Sequence, residues 1–270
     1  MQQHLRQHTF IYLAAIWLLI NLFMVNGTAV LWDEDEAAYA GFAKTMVETG
    51  DWAVPEFLWS EPHRKPPLHF WSIAVSYSIF GVHEWATRLP SVLSFILLLL
   101  AVYFLGKRVL GEEKAFLASL VLGSTLLLPN LAKIAFTDTT LLLFETVAVL
   151  ALLNFLKKPA WSWSLLFWGM VALGVLVKGP PILILTLGIG GFLLLFYQNR
   201  KVLIGLHPWF FLPLALLPLI IWGWYASQKD GGELVNFLVD WYFLKRISGE
   251  GHVYGPVSYT HLTLPTTPYV

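Results

Sequence analysis

Long apolar runs, almost free of charge, recur along nearly the whole chain, and this constrains it more than any motif. They fall at about 10–31, 88–106, 115–131, 139–156, 161–178, 180–198 and 206–226. A run of roughly 20 apolar residues is what an α-helix needs to cross the hydrocarbon core of a bilayer. Inside lipid only helices and closed barrels satisfy the backbone's hydrogen bonds. Only 13% of the residues are charged and 57% are hydrophobic, against about 25% charged in a soluble domain. The fold class is therefore all-α, a polytopic membrane bundle of about seven transmembrane helices. A formal net charge of zero argues against nucleic acid as a partner. The absence of cysteine excludes disulfides, thiolate chemistry and cysteine-ligated metal.

Charge between the runs sets the topology. Arg6 precedes the first run; Lys107, Arg108 and Lys114 share one loop, Lys157 and Lys158 a second, Arg200 and Lys201 a third. The positive-inside rule puts these clusters in the cytoplasm. Residues 32–87 then form an outer loop, and only one crossing can follow before Lys107. An apolar segment at about 67–82 competes for that crossing. It opens with Pro66-Pro67 and carries His69, Trp71, Ser72, Ser76, Tyr77 and Ser78, so it reads as an interfacial helix. A true span is the alternative. With seven spans, Asp33, Asp35, Glu61, Lys65, Lys133, Asp138 and Lys178 all reach the outer face.

The outer loop is itself structured. From Glu36 to Glu48, Ala37, Ala40, Phe42, Ala43, Met46 and Val47 form an apolar helical stripe. Thr49-Gly50-Asp51 ends it, with Gly50 suited to a left-handed C-cap. Pro55, Pro62, Pro66 and Pro67 hold an extended path. Two polar blocks flank this frame: Asp33, Glu34, Asp35 and Glu36, then Glu61, His63, Arg64, Lys65 and His69. Helix capping accounts for one acid of the first block, not four.

Residues 256–270 read as foreign. Val257-Ser258-Tyr259-Thr260-His261-Leu262-Thr263-Leu264-Pro265-Thr266 back-translates into the mosaic end and adapter of transposase-based sequencing libraries, and is set aside from fold reasoning. Residues 1–255 then form one membrane module, and the natural protein is expected to be longer.

Several motifs in order carry a resemblance. Asp-Glu-Ala-Ala-Tyr at 35–39, Thr-Gly-Asp-Trp-Ala-Val-Pro at 49–55, Lys-Pro-Pro-Leu-His-Phe-Trp at 65–71 and the stretch from Phe80 to Pro90 resemble the bacterial branch of the GT-C-type glycosyltransferases. That branch includes aminoarabinose transferases and relatives of the protein O-mannosyltransferases. Asp138, the Lys178-Gly179-Pro180-Pro181 turn and Trp241 to Arg246 also fit. The chain departs at Ser60-Glu61-Pro62-His63-Arg64-Lys65: aminoarabinose transferases have an acid directly before the Lys-Pro-Pro, whereas here Glu61 stands four residues before Lys65.

The resemblance implies transfer of a sugar from a polyprenyl-phosphate donor, on the outer, periplasmic face of the bacterial inner membrane. The acceptor is an envelope lipid such as lipid A, a glycan or a protein. Asp35 is the implied base, with Asp33 as its substitute, and general base catalysis contributes roughly 10²–10⁴-fold. Asp138 orients the acceptor, pairs with Lys178 or holds a metal; its bland reading is an N-cap. Arg64, Lys65 and Lys178 are candidate phosphate ligands, with Arg246 and Lys245 as further cations whose bland reading is a solvated loop. Lys65 reads equally as a snorkelling cation. Tyr39 and Trp59 are candidate sugar contacts or packing residues, and Glu34 and Glu36 are solvated or structural. A divalent metal on Glu61 and His63, with His69 beside them, is the cofactor candidate, though no His-x-x-x-His or His-Glu-x-x-His spacing supports it. Two other readings stay open. A transporter or flippase predicts charges at mid-span, where Glu145 is the main one. The other is an inactive fragment.

Overall fold

The computed structural model describes residues 31, 34–57, 64–240 and 244–245, and the account below concerns these. The first apolar run, at 10–31, lies outside them except for its last residue. Among the described residues every regular element is helical: α1 (Glu34–Thr49), α2 (Leu68–Phe80), α3 (Glu84–Leu110), α4 (Glu112–Ser124), α5 (Leu127–Leu131), α6 (Thr137–Lys157), α7 (Trp161–Lys178), α8 (Pro180–Phe196), a 3-10 segment (Arg200–Leu206), α9 (Pro208–Asp230) and α10 (Glu233–Val239).

Four helices, α3, α6, α7 and α9, are long and apolar enough to cross a membrane. At 17 residues α8 falls just short. The run at 115–131 is not a single helix. It breaks at Thr125, whose backbone is extended and whose hydroxyl bonds the Leu122 carbonyl at 2.9 Å. Pro129 is the reason, since its ring clashes with the carbonyl four residues earlier. At 13 residues, α2 is about 20 Å long, too short for a crossing. Its buried face, with Phe70, Ile73, Ala74 and Tyr77, packs into the cluster holding α1, while Val75 and Ile79 stay exposed.

The bundle is apolar inside and out. On α3, Phe95 and Leu98 are buried against Leu143 and Val147 of α6, while Leu93, Leu97, Leu100 and Phe104 lie exposed at a spacing that marks one helical face. Patches of that size on a soluble surface would drive association; here they suit lipid. Ile182 of α8 fits the notch left by Gly174 of α7.

The two ends of the bundle differ chemically. At one, Lys157 donates to the Arg108 carbonyl at 2.7 Å, and the Arg108 guanidinium lies 5.4 Å from the centre of the Trp163 ring. Trp168 ties the 3-10 segment carrying Arg200 and Lys201 to the same end, donating to the Leu206 carbonyl at 2.8 Å. At the other end lie the first turns of α3 and α6 and the last turn of α7, with α1 and α2 laid across them.

In α1 the apolar stripe is rotated from the expected one. Ala38, Tyr39, Phe42, Ala43 and Met46 are buried, whereas Ala37 is exposed. The heavy side chains at 39, 42 and 46 define the face, and Ala37 falls behind it. Gly50 closes the helix at φ +75°, its amide on the Met46 carbonyl at 3.0 Å. Beyond it two indoles clamp the chain: Trp71 donates to the Trp52 carbonyl at 2.7 Å and Trp222 to the Ala53 carbonyl at 2.8 Å. Lys229 meets Asp51 at 2.6 Å.

Candidate active site

Two proline junctions build the site. Lys65-Pro66-Pro67 leads into α2, and Lys178-Gly179-Pro180-Pro181 joins α7 to α8. Gly179 takes φ +76° and ψ −118°, a conformation open in practice to glycine alone, and the prolines occupy the first turn of α8, where a missing N–H does no harm. The junctions lie against each other: a methyl group on Gly179 would stand 3.9 Å from Pro66 Cγ. Lysines distant in sequence are thereby brought to one rim.

Lys65 is buried. Its ammonium donates to the Tyr39 hydroxyl, stands 4.6 Å from the centre of the Tyr39 ring and lies 3.7 Å from Asp35 Oδ1. Tyr39 in turn donates to Asp35 Oδ1 at 3.1 Å. The result is a relay from Lys65 through Tyr39 to Asp35. Burial pushes the Lys65 pKa below the usual lysine value; Asp35 and Asp138 oppose that shift and Lys178 adds to it. Beside it Lys178 donates to Asp138 Oδ1 at 2.7 Å, with both side chains reaching solvent. Asp138 thus takes the pairing role, and no side-chain cap is formed at the start of α6.

Other site residues take one of their two expected readings. Tyr39 is buried against His69 and Phe70, so its ring lines no open sugar pocket and its hydroxyl works inside the relay. Glu36 is structural rather than solvated. It is fully buried and takes both arms of the Arg88 guanidinium, at 2.8 Å and 3.0 Å. His69 is fully buried too, with Nε2 on the Ala135 carbonyl at 3.0 Å. Burial, the largest influence, lowers its pKa to about 4, leaving a neutral ring whose Nε2–H is the donor. Arg64 Nε is buried without a hydrogen-bond partner. Such a group is costly unless something accepts from it, and an anion would. Lys245 pairs with Asp240 at 2.8 Å, as a loop charge does.

Asp33, Trp59, Glu61, His63 and Arg246 lie outside the described residues. Among the described residues no three His, Asp or Glu side chains converge as a metal site, and His69 is committed to Ala135. The arrangement offers cations beside carboxylates on one rim, the equipment for holding a departing phosphate while accepting a proton.

A model of the family described as dolichyl-phosphate-mannose-protein mannosyltransferase matches residues 64–224. The chain belongs to this family. It is 32% identical over 159 residues to undecaprenyl phosphate-alpha-4-amino-4-deoxy-L-arabinose arabinosyl transferase 2 of Proteus mirabilis, covering 58% of this chain and 29% of that protein. The corresponding transferase of Yersinia pestis is 32% identical over 151 residues, 56% of this chain and 27% of the other. A protein of Aquifex aeolicus is 28% identical over 195 residues, 71% of this chain and 38% of the other. The chain thus spans between 27% and 38% of the length of these relatives. The fold is also that of ArnT from Cupriavidus metallidurans. The crystal structure bound to undecaprenyl phosphate aligns with TM-score 0.76 at 22% identity, over 88% of this chain and 44% of that one. The apo structure gives 0.78 at 22%, over 91% and 49%.

Proposed function

We propose that this chain carries the donor site of a membrane glycosyltransferase that moves a sugar from a polyprenyl phosphate to an envelope acceptor. The acceptor's O–H or N–H attacks the anomeric carbon, and its proton passes to Asp35. The bond between that carbon and the phosphate oxygen breaks, and the lipid phosphate leaves with the electron pair onto Lys65, Lys178 and Arg64. Fixed cations at a boundary of low dielectric stabilise such a leaving group far better than water-exposed ones. In this reading the basic end of the bundle faces the cytoplasm, α4 with α5, α8 and, from its sequence, the run at 10–31 make up the seven crossings with the four long helices, and the rim of Asp35 and Lys178 faces outward. The acceptor is lipid A, another envelope lipid, a glycan or a protein.

The observation that carries this reading is the convergence of Asp35, Lys65, Asp138 and Lys178 at the bundle end opposite Arg108 and Lys157. The relatives named for transfer from undecaprenyl phosphate support the donor class. A transporter would spread charge along an internal path; among the described spans Glu145 alone sits at mid-helix. The test is transfer of radiolabelled sugar from polyprenyl phosphate by the full-length protein and by its Asp35→Asn variant. A full-length protein that transfers nothing refutes the reading, and an unimpaired variant moves the base away from Asp35.

A further inference from the structure

The peptide group of Ala135 is held at both ends. Its N–H donates to Glu36 Oε1 at 2.9 Å, and its carbonyl accepts from His69 Nε2 at 3.0 Å. Glu36 is itself fixed by the two arms of Arg88. Ala135, Glu36 and His69 are completely buried and Arg88 nearly so. Four parts of the chain meet here: the first turns of α1, α2 and α3, and the turn before α6. Three of them carry, close by in sequence, one of the groups above: Asp35 adjoins Glu36, Lys65 lies four residues before His69, and Asp138 lies three after Ala135.

We infer that this knot is a positioning device, in which Glu36, Arg88 and His69 set the separation of Asp35, Lys65 and Asp138 through the backbone of Ala135. The inference rests on the reaction proposed above. A solvated carboxylate would serve the N-terminus of α1 equally well, so capping does not explain why this one is fully buried. Arg88 supplies the opposite charge, and its fork fixes direction as well as distance. A buried pair of this kind specifies geometry more than it adds stability. The Glu36 oxygen that bonds Arg88 Nε is the one that takes the Ala135 N–H, so shortening the side chain cannot satisfy both.

The test uses the full-length protein in liposomes. Glu36→Asp keeps the charge and withdraws it by one methylene. Its kcat falls about 100-fold, the scale of an ångström's misplacement, while the donor KM changes less than about threefold, because the cations that hold the donor remain. His69→Gln, whose amide still reaches a carbonyl, loses less than His69→Ala. A cysteine-free background of the full-length protein allows an assay independent of activity: spin labels at Ala37→Cys and Lys133→Cys give a single narrow distance, which widens or shifts in Glu36→Asp. An unaltered kcat in an active protein overturns the inference, as does an unaltered distance distribution. Absence of transfer by the unmodified protein, with the distance shifting as expected, removes the proposed reaction and leaves the knot standing as a device of the fold.

Discussion

Lys178 and Asp138 join the last turn of α7 to the first turn of α6 through one contact of 2.7 Å that solvent can reach. Exposed pairs of this kind contribute only about 0–1 kcal/mol to stability. Under the proposed reaction, a contact so weak in folding leaves Lys178 available to an anionic ligand. Lys178→Ala is therefore expected to leave the melting temperature of the solubilised protein nearly unchanged while raising the donor KM by about tenfold or more, the scale of a charge-assisted phosphate contact. Thermal melts and donor titrations check the two halves separately.

Asp35 and Tyr39 give a second separation. Asp35→Asn should lower kcat by roughly 10²–10⁴-fold, the loss of a general base, without moving the donor KM. Tyr39→Phe keeps the packed ring and removes the bridge between Lys65 and Asp35, so its kcat should fall less than that of Asp35→Asn. The order of these two losses, measured in one assay, is the check.

The buried Glu36–Arg88 pair should behave in the opposite way to Lys178–Asp138. Arg88→Met removes one partner and strands the other carboxylate, at about 3–5 kcal/mol. Denaturation of the solubilised protein should show that loss, and Glu36→Gln combined with Arg88→Met should recover part of it.

His69 predicts a pH dependence of stability. Its folded pKa of about 4 lies below its ordinary value of 6.5. Between those values the unfolded chain binds a proton that the folded chain refuses. The stabilisation is complete above pH 6.5, declines as the pH falls, and is gone near pH 4. The shift corresponds to about 3 kcal/mol. Melting temperatures of wild type and His69→Gln at pH 7 and pH 5 should show a steeper fall for wild type.

The bundle class could be read from the apolar runs because hydropathy reflects each helix's own composition. The break at Thr125 was harder to see, since Pro129 acts on a carbonyl one turn back while the run stays apolar across it. The relay was half legible: the motifs singled out Asp35 and Lys65, but a hydroxyl bridge across 26 residues leaves no spacing to read. Arg88 had a signal that went unused, a guanidinium at the head of an apolar helix, for which lipid offers no partner. Glu36 was hidden among three other acids, since composition cannot say which member of a cluster turns inward. Ala135 had no signal at all, because its contribution is its backbone.

The contact between Pro66 and Gly179 has an entropic consequence. Each lysine precedes a proline pair, so the backbone that carries the two ammonium groups is fixed during folding and not at each encounter with an anion. Under the proposed reaction, a lipid phosphate drifting in the plane of the bilayer would meet backbone that is already arranged, with less conformational freedom left to lose when it docks.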